Sequence, residues 1–420
     1  DSMTKHIKMT DKPTACLAPL VSIAVQPKGR LRPCCWWWGY DTDTESSHKI
    51  QSMSFNEYRE SANKKYYQDM QKGLYPEGCK RCNTNAKPRY EYYNKLYPEL
   101  VGKDWDEVKG FKHLDLRFGN LCNASCVTCN YTNSSYFGKV ADKGYWMAPG
   151  QMPDSNAPTH LTRDSLDKQM SWHEDPKVIE GIIESLKDVN YIYATGGEPT
   201  INPTLHKVMQ YLIEEGRASH TTIEINTNGT NANKKFLDLL KPFKKVIQYS
   251  MDAAGELNDA MRYPTKFVQM EKNYFAFKDI CTSRDRLMIT PTVTIHNFFA
   301  LPDLMKWVND SHAAITAKLN ILNSPHWQSI AMLSPEYLQQ GLKAIADVRA
   351  VLTTEMNILG TDMFVTDISK RLLNTAVYQP NPENPLDGSA VTWQTSLDYT
   401  RKWFDSRGYN PALTKIPDFL

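Results

Sequence analysis

Three cysteines close together carry the strongest chemical signal in this chain. Cys122, Cys126 and Cys129 stand in the order C-x3-C-x2-C, inside Leu116-Arg117-Phe118-Gly119-Asn120-Leu121-Cys122-Asn123-Ala124-Ser125-Cys126-Val127-Thr128-Cys129. Three thiolates on one short loop can wrap one face of an iron–sulfur cube and leave one iron without a protein ligand. An open metal position is what chemistry requires. Structural zinc commonly takes four ligands, so a lone triplet suits it poorly. A second set is spread out: Cys16, Cys34, Cys79 and Cys82. Four thiolates can saturate a cube or hold a structural zinc, and spacing alone leaves both open. Cys35 adjoins Cys34 and leaves the choice between them unresolved. Cys281 stands apart, at the end of an expected helix, where a small buried apolar role competes with that of a catalytic thiol.

The rest of the composition narrows the setting. The chain has 420 residues, 49 Lys+Arg, 47 Asp+Glu and nine cysteines. The near-neutral balance argues against a dedicated nucleic-acid or membrane surface. Nine is an odd number and far too few for a disulfide scaffold of this length, so clustered cysteines read as metal ligands in a reducing compartment. No apolar run approaches the length of a bilayer span, and the polar stretch Asp1 to Thr14 does not read as a signal peptide. A cytoplasmic protein is the expectation.

Alternating elements must hold these cysteines. Residues 1–108 read as a small module with a short apolar strand at Val21–Val25. Its helix runs from Ser54 to Gly73, opened by a capping box of Ser54 and Glu57. From about residue 110, strands are expected at His113–Phe118, Tyr191–Ala194, Thr222–Asn226, Val246–Met251, Met288–Ile295 and Lys318–Leu322. Helices are expected near 176–187, 203–216, 233–241, 266–280 and 301–312. Strands separated by helices imply parallel βαβ units, an α/β fold whose ligands sit at the C-terminal strand ends. Whether the sheet closes into a partial barrel is open at this level. Residues 130–163 form a long insert rich in Gly, Pro, Asn and aromatics, expected to act as a lid. Beyond 325 the chain reads as helical, with helices at Pro335–Met356, Asp362–Tyr378 and Ala390–Arg407.

The C-x3-C-x2-C loop at a strand end resembles the signature of the radical S-adenosylmethionine superfamily. Other strand ends agree with it: Thr195-Gly196-Gly197-Glu198-Pro199, Glu224-Ile225-Asn226-Thr227-Asn228-Gly229, and Tyr249-Ser250-Met251-Asp252-Ala253. In that family the Gly-Gly-Glu-Pro segment binds the amino group of the cofactor's methionine. Glycines allow close backbone approach, and a carboxylate suits an ammonium. The resemblance implies that Asn226, Asn228, Ser250 and Asp252 meet the cofactor's ribose and carboxylate, and that Arg262 meets its carboxylate or the substrate. One departure is Thr128, where relatives usually place an aromatic or apolar residue, so adenine packing at that position is in doubt.

Cys16…Gly29-x4-Cys34…Cys79-x2-Cys82 is similar to the auxiliary-cluster "twitch" module, the shortened relative of SPASM. The resemblance selects iron–sulfur over zinc and Cys34 over Cys35. It implies a partial (β/α)6 TIM-like barrel over 109–325, a twitch-like 4Fe-4S module over 1–108 and a helical extension over 326–420. It further implies two 4Fe-4S clusters, S-adenosyl-L-methionine as cofactor, and an electron donor such as flavodoxin or ferredoxin. The expected reaction is hydrogen-atom abstraction from a peptide or protein, leading to oxidation, cross-linking or epimerisation. The same chemistry on a small molecule such as a sugar or aminocyclitol is the alternative, and a non-enzymatic iron–sulfur or zinc scaffold a more remote one.

Overall fold

A computed structural model describes residues 5–9, 15–37, 48–83, 88–154, 156, 158–373 and 391–420. The chain falls into two compact units. The first joins Asp1–Leu121, Ala157–Ile225 and Asp238–Lys245; the second joins Cys122–Asn156, Asn226–Leu237 and Val246–Leu420.

The first unit is built on a mixed sheet. Ser22–Val25 runs parallel to His113–Leu116, which runs parallel to Tyr191–Ala194, which pairs in parallel with Thr222–Ile225. A short strand, Leu31–Arg32, closes one edge antiparallel to Ser22–Val25. Side chains alternate across a strand, so residues paired in register share a face. One face carries Ile23, Leu114, Ile192 and Ile223, each fully buried, and each burial contributes roughly 2 kcal/mol. The other carries His113, Asp115, Tyr191, Tyr193 and Glu224. The N-terminal strand thus enters the same sheet as His113–Leu116, a pairing across about ninety residues of chain that local periodicity does not reveal.

Helix starts in this unit follow the expected chemistry. The Ser54 hydroxyl accepts from Glu57 N at 3.1 Å and Glu57 Oε2 accepts from Ser54 N at 2.6 Å. Asn202 caps Pro203–Glu214 through its side-chain oxygen, and Asp175 caps Pro176–Glu184, each with proline at the first turn where its missing N–H costs nothing. The helix after Ser54 is not uniform: Phe55–Tyr58 passes through a π-helical turn, Arg59–Asn63, into Lys64–Gln71. Inside that turn Arg59 is buried and donates to Leu20 O and Val108 O, and Asn63 donates to Ser22 O. The extra residue aims two polar side chains at the start of the N-terminal strand.

In the second unit, Val246–Tyr249 pairs in parallel with Arg286–Ile289, and Thr292–Val293 with Asn320–Ile321. The single strand expected at Met288–Ile295 is therefore broken in two at Pro291, which has no N–H to give the ladder. The helices Phe267–Asp279, Leu301–Asp310, Pro335–Arg349, Glu355–Leu373 and Trp393–Ser406 follow. The helix expected to run from Pro335 to Met356 stops at Arg349, because Thr353 binds Asn309 and Thr354 caps the next helix through Asn357 N. Residues 374–378 and Ala390, included in expected helices, lie outside the described residues. The last helix is packed into this unit: Trp403 Nε1 donates to Ala260 O at 2.9 Å, and His296 Nε2 meets Thr400 Oγ1 at 3.0 Å. Among the described residues, no helix is long and apolar enough to cross a membrane.

Candidate functional site

Backbone contacts pin the Cys122–Cys129 loop. Ser125–Cys126 forms a short antiparallel ladder with Arg262–Tyr263. Val127 N donates to Met261 O, and Cys129 N donates to Cys126 O at 2.9 Å. Two buried amides reach the loop: Gln151 Nε2 donates to Val127 O at 2.9 Å and Cys129 O at 3.3 Å, and Gln328 Nε2 donates to Val127 O at 2.8 Å. Gln151 lies in the 130–163 insert, so this part of the insert supports the loop directly. Such support fixes the thiols before any ligand arrives.

The three thiols lie within electrostatic reach of one another. Burial first, then the charges of Cys126 and Cys122, push the Cys129 thiol well above its ordinary range. Arg262 answers part of that charge. Its Nη1 donates to Cys126 Sγ at 3.6 Å while its Nε donates to Asp252 Oδ2 at 2.8 Å. Burial works to lower the Arg262 guanidinium, but the charges of Asp252 and Cys126 outweigh it and hold it above the usual range. Asp252 spends its other oxygen on Thr292 N at 2.8 Å, so it orients Arg262. Asn228 Nδ2 approaches Cys122 Sγ at 3.9 Å and donates to Asn123 Oδ1 at 2.8 Å. Ser250 is tied by its N–H to Thr227 O, and Asn226 keeps a buried Oδ1 with no hydrogen-bond partner among the described residues. Asn226, Asn228, Ser250, Asp252 and Arg262 thus share the second unit with the three cysteines.

Gly196, Gly197, Glu198 and Pro199 belong to the first unit, directly after Tyr191–Ala194. Gly197 has φ +63°, and a Cβ there would stand 2.2 Å from Leu121 O. Only glycine fits this turn. Glu198 N donates to Leu121 O at 2.8 Å, which ties the turn to the residue bonded to Cys122. The buried Glu198 carboxylate accepts from Thr200 N and Thr200 Oγ1. It therefore caps the turn Pro199–Ile201.

A second thiol set surrounds a cavity in the first unit. Cys16, Cys34, Cys79 and Cys82 line it together with Trp36, Trp37, Arg89, Tyr90 and Tyr93. Trp38, the third tryptophan of the run, lies outside the described residues. A Cβ on Gly78 would stand 2.2 Å from the Trp37 ring, so the residue before Cys79 must be small for the indole to close on this loop. Burial and then the neighbouring thiols Cys35, Cys16, Cys79 and Cys82 push the Cys34 thiol well up. Protons held this firmly are displaced by a metal charge, which deprotonates a coordinating thiol outright. Cys35 does not line the cavity. Burial raises it to about 11, with Arg89 opposing and Asp115 adding to the rise. No two of the nine cysteines form a disulfide. Among the described residues, no group of three or more His, Cys, Asp or Glu side chains is gathered closely enough to hold a metal ion. Cys281 follows Phe267–Asp279 and lies beside Tyr274.

Sequence reasoning missed the polar face of the first unit's sheet. Asp115 is buried beside the Cys35 thiol, with Arg117 Nε 3.9 Å away. The Tyr191 hydroxyl donates to Glu224 Oε2. The signal was present in the alternation His-Leu-Asp-Leu, Tyr-Ile-Tyr-Ala and Thr-Ile-Glu-Ile, which places polar groups on one face.

Comparison with known proteins fits this geometry. Residues 116–304 match the family model described as the radical SAM superfamily. An uncharacterized protein of Methanocaldococcus jannaschii is 25% identical over 156 residues, 37% of this chain and 43% of that protein. The chain thus spans less than half of that relative. Among solved structures, anSMEcpe with bound AdoMet is 18% identical, with 56% of this chain and 59% of that one covered and a TM-score of 0.38. SuiB of Streptococcus suis bound to precursor peptide SuiA is 14% identical, with 70% and 61% covered and a TM-score of 0.34. The matched residues, 116–304, hold the Cys122–Cys129 loop and the three strand-end motifs, so this part of the chain is similar to the radical SAM superfamily.

Proposed function

We propose that this protein is a radical S-adenosylmethionine enzyme that abstracts a hydrogen atom from a peptide or protein. The observation that carries the reading is the C-x3-C-x2-C loop, in which Cys122 and Cys126 act electrostatically on Cys129 and Arg262 meets Cys126. These residues would hold a 4Fe-4S cluster with one iron open. The donor chemistry fits, because thiolates are the usual ligands of such cubes. The chemistry such a cluster would supply there is one-electron reductive cleavage of S-adenosylmethionine, leading to hydrogen-atom abstraction from the substrate.

The chain's own residues position and shield. Arg262, fixed by Asp252, places a cation beside Cys126 and offsets thiolate charge at the loop. Gly196 and Gly197 allow close backbone approach to the cofactor's amino group. Asn226, Asn228 and Ser250 offer hydrogen bonds to its ribose and carboxylate. Cys16, Cys34, Cys79 and Cys82 would hold a second 4Fe-4S cluster in a twitch-like module, and Trp36 and Trp37 shield it. The cavity these four thiols share supports that reading. The second cluster would pass electrons, with flavodoxin or ferredoxin as outside donor. The division into a module over 1–108, a partial barrel over 109–325 and a helical extension over 326–420 belongs to the same proposal.

Anaerobic reconstitution with iron and sulfide tests it. About eight irons per chain and release of deoxyadenosine on reduction are expected. Tight zinc, with no cleavage of S-adenosylmethionine, would end the proposal. Cys126→Ala should abolish cleavage while the N-terminal set keeps its iron.

A further inference from the structure

The last helix leads into a buried arginine of the second unit, and among the described residues no carboxylate pairs with it. Arg407 is 7% exposed. Its Nη1 is fully used: it donates to Ser406 Oγ at 2.9 Å, Trp146 O at 3.0 Å and Trp403 O at 3.3 Å. Its Nε and Nη2 have no hydrogen-bond partner among the described residues. Those two nitrogens lie on the same edge of the guanidinium, the pair whose parallel N–H bonds grip a carboxylate in bidentate fashion. The rest of the surroundings is aromatic. The guanidinium carbon is 3.3 Å from the centre of the Trp403 ring and 5.8 Å from those of both Tyr145 and Tyr263.

We infer that Arg407 is a carboxylate-binding residue, with the Nε and Nη2 edge as its fork and Trp403, Tyr145 and Tyr263 as the walls. A buried charge without a counter-ion is costly, and folded proteins normally pair it. Burial pulls Arg407 down to about 9, and the groups that raise it are Tyr263 and Tyr145, with no carboxylate among them. The charge is thus partly balanced by ring faces and is left to be completed by a ligand.

The place of this site in the unit gives it a purpose. Tyr263 is paired with Ser125 in the ladder that holds the Cys122–Cys129 loop. Tyr145 and Trp146 come from the 130–163 insert. Arg407 therefore joins the C-terminal helix, the insert and the flank of the cysteine loop. A carboxylate anchored there would fix a molecule next to that loop, and the positioning would favour reaction at one atom over its neighbours. The carboxylate could come from the substrate or from S-adenosylmethionine; only its relation to a radical reaction rests on the function proposed above.

The test uses anaerobically reconstituted full-length protein, with acetate as probe and chloride at equal ionic strength as control. At tenfold saturation, acetate should raise the thermal midpoint by about 2 °C relative to chloride. Arg407→Met, which keeps the stem on Trp403, should abolish that difference. Arg407→Lys, which keeps the charge without the fork, should weaken acetate binding at least about tenfold. S-adenosylmethionine affinity separates the sources. Unchanged affinity in both variants assigns the carboxylate to the substrate, and a tenfold loss in both assigns it to the cofactor. An acetate effect absent from the wild type, or intact in either variant, overturns the inference. These readouts do not involve cofactor cleavage, so their failure leaves the proposed reaction standing, and absent cleavage with intact acetate binding leaves the site standing.

Discussion

Arg262 reaches Cys126 Sγ at 3.6 Å through Nη1 while Asp252 holds its Nε at 2.8 Å. The three form a line: a carboxylate committed to Thr292 N and Arg262 Nε, a guanidinium between, and a thiol at the end. Asp252 is 1% and Arg262 8% exposed. Removing one partner of such a buried pair strands a charge, at a cost of about 3 kcal/mol or more. Asp252→Asn and Arg262→Gln should each lose roughly that much in denaturant titrations of the reconstituted protein. The double variant should lose clearly less than the sum, since the second change removes the stranded charge. Additive losses would show that the two side chains do not act together.

Gly197 and Gly216 both have positive φ, at +63° and +69°, yet their surroundings differ. A Cβ on Gly197 would sit 2.2 Å from Leu121 O, whereas one on Gly216 meets nothing within 4 Å. Alanine at Gly216 should therefore cost only left-handed strain, about 1–2 kcal/mol. Alanine at Gly197 must also push away the backbone of the residue before Cys122. We expect Gly197→Ala to be the worse by several degrees of thermal midpoint, and to retain less iron at the Cys122–Cys129 loop. Equal losses from the two variants would remove the close approach as the reason for glycine at 197.

Adjacent cysteines separate cleanly in space. Cys34 lines the cavity shared with Cys16, Cys79 and Cys82, while Cys35 lies among Arg89, Asp115 and Arg117. Cys34→Ala should lose about four irons after reconstitution, and Cys35→Ala should retain about eight. Iron counts with ultraviolet-visible spectra decide it. Loss of iron from Cys35→Ala with none from Cys34→Ala would reverse the ligand assignment.

What could be read in advance was local. The loop spacing, the glycine turn after Ala194 and the capping pair Ser54–Glu57 each depend on residues a few positions apart. Strand Tyr191–Ala194 was legible to the residue because its apolar pattern and its flanks agree. What escaped depends on distant partners. The N-terminal strand pairs with His113–Leu116 through hydrogen bonds that leave no local mark. Asp115 reads as an ordinary strand polar residue until the sheet assembles around it. Arg407 reads as one more exposed helix charge, because its solitude follows from which groups surround it and not from its neighbours in sequence. Pro291 is the opposite case: its consequence for the strand was readable and was overlooked.

His296 gives a pH dependence whose sign is fixed by burial. It is fully buried, its Nε2 meets Thr400 Oγ1 at 3.0 Å, and burial lowers its pKa to about 3. The unfolded chain has an ordinary imidazole near 6.5, so between pH 6.5 and 3 the unfolded state binds the extra proton. Stability must therefore fall as pH falls through that window, by about 1.4 kcal/mol per pH unit from this residue. From pH 6.5 to 4.5 the loss attributable to His296 is about 2.3 kcal/mol. His113, lowered to about 3 by burial and by Arg89, acts in the same direction. His296→Gln keeps an amide able to reach Thr400 but does not titrate. Its stability curve, measured by denaturant at half-unit pH steps, should be flatter than the wild type's by that amount over the window, and the two curves should run parallel above pH 7. Parallel curves throughout would mean that His296 carries its proton in the folded protein.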